Sequence, residues 1–264
     1  MARFRRKAYV DLDPGFTQIW HETGHLRVGG HDAYFTVGTN IGSAACTIPT
    51  GGTRWQPILP PIVLDEWPVC SLERRTAFTT IANWRGPFGP VQWNGKTLGL
   101  KVHEFRKFLD LPAKTGQQFE LALNIHRAEE KDLQALDRHG WKIVNPSEVA
   151  GDPDSYRRYV QNSGAEFSAA QEIYVATQSG WFSDRTAAYL ASGKPALVQD
   201  TGFSRMPPIG KGLVSFRTPE EASDGARIIR DDYPGHCRAA RTIAEEFFDS
   251  RKVLGSFLTS VGIH

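Results

Sequence analysis

The chain has 264 residues, 40% of them hydrophobic, enough to bury the core of one large domain or two smaller ones. The 31 Lys and Arg residues nearly balance the 29 Asp and Glu residues, so the overall charge does not favour a nucleic acid or an anionic membrane as partner. The mean hydropathy is -0.38 and no long apolar run occurs, which predicts no membrane span. The 3 cysteines are widely separated, a pattern typical of free thiols in a reducing, cytoplasmic protein.

The first 75 residues carry few signals of regular structure. A basic run at the start, MARFRRKA, lacks the apolar centre of a signal peptide and is expected to be a solvated tail. Strands are predicted over residues 8–12 and 33–37, with a turn at Pro14 and Gly15 and a short helix between them. Residues 46–67 are rich in proline and glycine, which predicts an extended connection. Because two strands are too few for an independent doubly wound domain, this part is predicted to be an incomplete α/β portion.

From residue 76 onward, apolar runs alternate with amphipathic segments, as is typical of a parallel sheet with helices on its faces. The predicted strands are residues 77–82, 119–125, 141–144, 165–170, 196–198 and 213–216. The predicted helices cover residues 100–111, 128–139, 154–161, 234–248 and 251–258. Two more helices are predicted, one capped by Ser183 and ended by Gly193, and one capped by Thr218, with Glu221 completing a capping box.

The stretch over residues 165–203 is the most informative part of the sequence. It reads as a strand, a long loop over residues 171–182, a helix opening at Ser183, a second strand and a second loop. The first turn of that helix offers unpaired backbone N–H groups and a partial positive charge, which favour a phosphate. The second loop is expected beside it at the carboxyl end of a strand, where open α/β sheets bind ligands. On this pattern alone, an ordinary α/β connection explains the stretch equally well.

The run FSDRTAAYLASGKPALVQDTGF, followed by PPIGKGLVSFRTPEEA, resembles the donor-binding half of GT-B glycosyltransferases of the group 1 kind. The matching residues are Ala191, Gly193, Pro195, Asp200, Thr201, Gly202, Gly210, Gly212, Phe216, Pro219 and Glu220. One position departs, since Ala188 stands where the family usually carries a glutamate that holds the donor ribose. The resemblance implies a GT-B-like fold. Residues 1–75 would be a remnant of the N-terminal acceptor domain with the linker, lacking most of that domain, and residues 76–264 the Rossmann-like donor domain.

The function implied by the resemblance is transfer of a sugar from a nucleoside diphosphate to an unknown acceptor, with the nucleotide sugar as substrate and no cofactor or metal required. Arg85 is a candidate phosphate contact, because a guanidinium group binds phosphate oxygens in a bidentate way, and His126 is a candidate nucleobase contact. The full predicted donor site comprises Asn83, Arg85, Gly86, Lys101, His126, Arg127, Ser179, Gly180, Trp181, Phe182, Ser183, Asp184, Arg185, Asp200, Thr201, Gly202 and Phe203.

Two other functions fit the sequence. A GT-B-like binding or regulatory protein without catalysis is favoured by Ala188 and by the short N-terminal portion. A different Rossmann-like enzyme is the other alternative, such as a nucleotide-sugar epimerase or a nicotinamide oxidoreductase. The oxidoreductase is disfavoured because no G-x-G-x-x-G follows the first strand of the predicted sheet. A two-stranded remnant cannot cover its own faces, so a homodimer through the N-terminal portion is also predicted.

Overall fold

The computed structural model describes residues 5–69, 77–203 and 207–263. Its N-terminal part is a small parallel sheet with one helix. The strands are β1 (Ala8–Asp11), β2 (Ala33–Thr36) and β3 (Trp55–Pro57), in that spatial order, and helix α1 is Phe16–Glu22. The sequence predicted the first two strands but not the third, which lies in the proline-rich segment. Strand β3 is an edge strand, where Pro57 costs no hydrogen bond to a neighbour.

The larger sheet contains six parallel strands, each of which the sequence predicted. In chain order they are β4 (Ala77–Asn83), β7 (Gln118–Asn124), β8 (Trp141–Val144), β9 (Ala165–Ser168), β10 (Ala196–Gln199) and β11 (Leu213–Phe216), and a hairpin of β5 (Val91–Trp93) and β6 (Lys96–Leu98) follows β4. Their spatial order is β11-β10-β9-β4-β7-β8. The chain therefore builds outward from β4 in one direction and then in the other, and the switch point lies between β4 and β9.

The helices of the larger part are α2 (Lys101–Phe105), α3 (Leu111–Thr115), α4 (Glu130–Arg138), α5 (Pro146–Val149), α6 (Pro153–Asn162), α7 (Glu172–Thr177), α8 (Asp184–Ala191), α9 (Pro219–Asp231), α10 (Tyr233–Ile243) and α11 (Ser250–Ser260). Two predictions were wrong in detail. The helix predicted over residues 100–111 is divided, because Pro112 opens α3 instead of only ending the helix before it. The long loop predicted over residues 171–182 contains α7.

Aromatic side chains fill the core beneath the larger sheet. Phe167 of β9 stacks on Phe216 of β11 at 5.4 Å between ring centroids, and Phe119 and Trp141 pack beside them. Helix α11 lies against the small sheet, where its Phe257 meets Phe35 of β2 at 4.7 Å. The predicted boundary between residues 75 and 76 falls outside the described residues.

Candidate functional site

The carboxyl ends of β4 and β9 separate at the switch point. The two strands pair only at Phe78 with Ala165 and at Thr79 with Glu166, so a crevice opens beyond these residues. Such a crevice is where doubly wound sheets bind their ligands. Among the predicted site residues, two cations lie at the crevice, Ser183 and Asp184 lie at the start of α8, and three loop residues contact the N-terminal portion. The other loop residues are mostly buried, and the remaining predicted residues lie at or near open cavities beside β4 and β7.

Arg185, from the first turn of α8, bridges the separated strands. Its Nε atom donates to Glu166 Oε1 (2.7 Å), Nη1 to the Ile81 carbonyl oxygen (2.8 Å) and Nη2 to Ser168 Oγ (2.6 Å). The Arg185 side chain is 11% exposed and that of Glu166 is 0% exposed. The guanidinium group therefore holds β4 and β9 at a fixed separation, and each of its three nitrogens donates one hydrogen bond within the protein.

Lys101, at the start of α2, is the second cation of the crevice. Burial lowers the pKa of its ammonium group to about 7, the nearby Arg185 charge lowers it further, and Glu166 opposes the shift. Within the described ranges, Lys101 forms no hydrogen bond or ion pair. Near neutral pH this lysine is therefore divided between charged and neutral forms, and an anion placed beside it would favour the charged form.

The start of α8 presents hydroxyl groups without partners. Ser183 is 5% exposed and Thr186 is 1% exposed, and neither side chain has a hydrogen-bond partner among the residues that the structure describes. Together with Ser168 and Gln199 they border a cavity of about 10 Å³, close to the size of one water molecule. The donors predicted from the sequence are thus present, but a phosphate between them requires the loop before α8 to move. Asp184 is exposed and accepts a hydrogen bond from the Arg185 N–H group.

The loop before α8 is attached to the N-terminal portion. Thr39 Oγ1 donates to the Gly180 carbonyl oxygen (3.1 Å), Asn40 N to the Ser179 carbonyl oxygen (3.1 Å) and Asn40 Nδ2 to the Gly202 carbonyl oxygen (3.1 Å). A Cβ atom at Gly180 would lie 2.4 Å from Thr39 Oγ1, so only glycine allows this approach. Three of the predicted donor-site residues therefore form a junction between the two parts of the chain.

The remaining loop residues are mostly buried within the fold. The Trp181 ring stacks on the Tyr174 ring at 4.7 Å between centroids, and Thr201 Oγ1 donates to the Trp181 carbonyl oxygen (2.5 Å). Phe182 and Phe203 pack at 5.2 Å in the core. Asp200 is 2% exposed and accepts hydrogen bonds from Arg217 Nη2 (2.7 Å) and the Gly202 N–H group (2.8 Å). These residues shape the loops at the sheet edge, and their side chains do not line the open cavities.

Two open cavities lie beside β4 and β7, and Asn83 and Asn124 line both. The larger, of about 510 Å³, also includes the predicted residues Arg85, Gly86 and His126. Arg85 donates from Nε and Nη2 to the two carboxylate oxygens of Glu129, while His126 and Arg127 are exposed.

The smaller cavity, of about 350 Å³, is lined by Ile81, Ala82, Asn83, Asn124, Pro146, Ser147, Ala150 and Gly151. Asn124 and the residues of α5 were not predicted as site residues. The available signal in the sequence was an asparagine at the end of each of the two strands. That these two amides lie side by side is known only from the register of β4 and β7.

Two further observations concern the described ranges alone. No cluster of three or more His, Cys, Asp or Glu side chains is arranged to hold a metal ion. None of the helices in these ranges has the length and apolar character needed to cross a membrane.

No protein-family model and no curated protein matches the chain. Solved structures do match it. A sucrose-phosphate synthase from Thermosynechococcus elongatus aligns with 98% of this chain and 69% of its own, at a TM-score of 0.60 and 10% identity. HepE from Anabaena, solved with UDP and glucose, aligns with 97% of this chain and 71% of its own, at 0.61 and 11%. AviGT4, a glycosyltransferase of avilamycin A biosynthesis, aligns with 92% of this chain and 75% of its own, at a TM-score of 0.53 and 12% identity. At such low identities, the similarity to these structures shows the fold alone. The chain has the GT-B fold of glycosyltransferases, with one six-stranded Rossmann-like sheet and a smaller α/β portion.

Proposed function

We propose that this chain is a glycosyltransferase that binds a nucleoside diphosphate sugar along the carboxyl edge of the larger sheet and transfers the sugar to an acceptor. The observation that carries the proposal is Lys101, a cation at the switch point with no partner within the described part of the chain. The crevice is where this class of sheet binds ligands, and a diphosphate supplies the missing anion. HepE, one of the structural neighbours, was solved with UDP and with UDP-glucose.

In the proposed reaction, the bond between the sugar anomeric carbon and the diphosphate oxygen breaks and the diphosphate leaves with the electron pair. The nucleophilic atom of the acceptor bonds to the anomeric carbon, and its proton passes to the departing diphosphate or to solvent. Lys101 and the donors at the start of α8, including the Ser183 and Thr186 hydroxyl groups, stabilise this developing charge. The loop before α8 has to move as the substrate binds, because the cavity there is only about 10 Å³, and the donors then need little further reorganisation in the transition state. Arg185 contributes indirectly, by holding β4 and β9 at the separation that forms the crevice.

A second candidate function is a nucleotide-binding or regulatory protein without catalysis. It is favoured by the small cavity of about 10 Å³ at the start of α8. It is also favoured by Ala188, which is 2% exposed in the core, where it has no polar group to offer a ribose.

The test is calorimetric titration with UDP, GDP, TDP and ADP, followed by hydrolysis assays with the matching nucleotide sugars. Lys101→Met removes the charge and keeps much of the side-chain volume, and Lys131→Met is the control, since Lys131 is exposed on α4 and has no ion-pair partner among the described residues. We expect one nucleotide to bind at least about tenfold more weakly to the Lys101 variant, and the control to match the original chain. Equal affinity in both variants would contradict the proposed site. Binding without release of sugar from any donor would favour the second function.

A further inference from the structure

Asn83 and Asn124 form a paired amide at the ends of two adjacent strands. They are register partners in β4 and β7, and Asn124 Nδ2 donates to Asn83 Oδ1 at 2.8 Å. This bond leaves the Asn83 NH₂ group as a donor and Asn124 Oδ1 as an acceptor, neither with another hydrogen bond within the described ranges. Both side chains are exposed at the sheet edge. The pair therefore presents one donor and one acceptor side by side, in positions set by the strand register.

A cavity of about 350 Å³ lies beside this pair. Residues such as Ala82, Pro146 and Ala150 contribute apolar atoms to its walls, and the two amides and Ser147 contribute polar groups. Such a mixed lining suits a small ligand with both apolar and hydrogen-bonding atoms, and 350 Å³ is near the lower end of the size range of ligand sites. The cavity also borders the crevice, because Ile81 lines the cavity while its carbonyl oxygen accepts from Arg185.

We infer that the Asn83–Asn124 amide pair reads the hydrogen-bonding edge of the donor's nucleobase in this cavity. Nucleobase edges present a donor next to an acceptor, and asparagine amides recognise such edges through two simultaneous hydrogen bonds. Adjacent strands lie about 4.8 Å apart, so the pair on β4 and β7 is roughly 5–10 Å from the crevice between β4 and β9. The pair is therefore within reach of the base of a nucleotide whose diphosphate lies at the crevice.

This inference rests on the proposed function and differs from the interpretation of the sequence, which assigned the nucleobase to His126. His126 lines the larger cavity of about 510 Å³, whose walls include the Arg85–Glu129 ion pair. The two assignments thus put the base in different cavities, and substitutions distinguish them.

The experiment compares affinities for inorganic pyrophosphate and for UDP, TDP, GDP, ADP and CDP. The variants are Asn83→Asp, Asn124→Asp and His126→Ala, with Asn162→Asp as the control, since Asn162 is exposed at the end of α6 and receives the same added charge. The ratio of pyrophosphate Kd to nucleotide Kd is the readout, because an added carboxylate weakens both ligands through their shared phosphates while the ratio reports the base.

We expect the original chain to prefer one base. Both Asp variants should reduce the ratio for that base by roughly tenfold or more, whereas Asn162→Asp leaves it unchanged. The inference would be overturned by an unchanged ratio in both Asn variants, or by a reduced ratio in His126→Ala alone. In either case, binding of pyrophosphate would still support the proposed function. Absence of binding by pyrophosphate and by every nucleotide would overturn both.

Discussion

The Nε atom of Arg185 lies 2.7 Å from Oε1 of Glu166, and both side chains are enclosed where β4 and β9 separate. A buried ion pair that loses one partner leaves an uncompensated charge in a medium that solvates it poorly. Because the same guanidinium group also donates to Ile81 of β4, the pair helps to fix the architecture of the crevice.

Replacing Arg185 by Met should destabilise the fold by about 3–5 kcal/mol, because Glu166 would then be buried without its partner. The double variant Arg185→Met with Glu166→Gln should recover part of this loss. Urea unfolding at pH 7 measures both. A loss below about 1 kcal/mol in the single variant would contradict the structural role of the pair. Loss of nucleotide binding in an Arg185 variant has to be compared with this loss of stability.

Gly180→Ala should destabilise the chain more than Gly116→Ala does. Both glycines have positive φ, at +76° and +62°, so both substitutions strain the backbone. At Gly180 the new Cβ atom would collide, at 2.4 Å from Thr39 Oγ1, while none of the residues that the structure describes lies within 4 Å of a Cβ atom at Gly116. We expect an additional cost of about 1–3 kcal/mol at Gly180, measured by thermal and urea unfolding. Equal costs would show that the junction tolerates displacement.

Affinity for a diphosphate should fall as the pH rises above 7. The Lys101 ammonium group has a pKa of about 7 in the folded chain, so it loses its proton above that pH unless an anion is bound. Calorimetry at pH 6, 7, 8 and 9 should show this decline and proton uptake on binding near pH 7. The Lys101→Met variant removes the titrating group, and its affinity should depend on pH only through the ligand.

The same lysine has an opposite effect on stability. Its pKa in the unfolded chain is about 10.4, higher than in the folded chain, so between pH 7 and 10.4 the unfolded state binds more protons. The free energy of unfolding should therefore rise with pH across this window, relative to Lys101→Met. A parallel pH dependence in both proteins would exclude Lys101 as the titrating group.

The N-terminal portion should mediate a homodimer. Val10 and Leu12 are 41% and 65% exposed at and just after edge strand β1, and Leu254 and Leu258 of α11 are 43% and 42% exposed. Burial of such side chains in a second copy would stabilise association. Light scattering over a range of concentrations should give a dimer mass, and Val10→Glu with Leu12→Glu should reduce it. A monomer mass independent of concentration would contradict this prediction.

The sequence was sufficient for the larger sheet, because strands buried on both faces leave nearly continuous apolar runs such as those of β7 and β10. The GT-B resemblance was confirmed by the structural neighbours. Strand β3 was missed because Pro57 reads as a breaker, and α7 because its six residues are too few to show a helical period.

The details of the site depend on relationships that a sequence does not display. The pairing of Asn83 with Asn124 can be predicted only when the register of their strands is known. The contact between Arg185 and Glu166 can be predicted only when the point at which β4 and β9 separate is known. The sequence placed donors at the start of α8, where Ser183 and Thr186 lie, but not the junction that closes the loop above them. The predicted roles of the loop residues as ligand contacts remain predictions.

The junction also bears on the order in which the chain folds. Thr39 and Gly180 are 141 residues apart in sequence, and Asn40 and Gly202 are 162 apart. Contacts of such separation close long loops, whose entropy is lost before the hydrogen bonds form, so they belong to late steps of folding. Residues 38–40 dock on loops that exist only after β9, β10 and α8 have assembled. This short segment should therefore govern how long the native state persists, rather than how quickly it is reached.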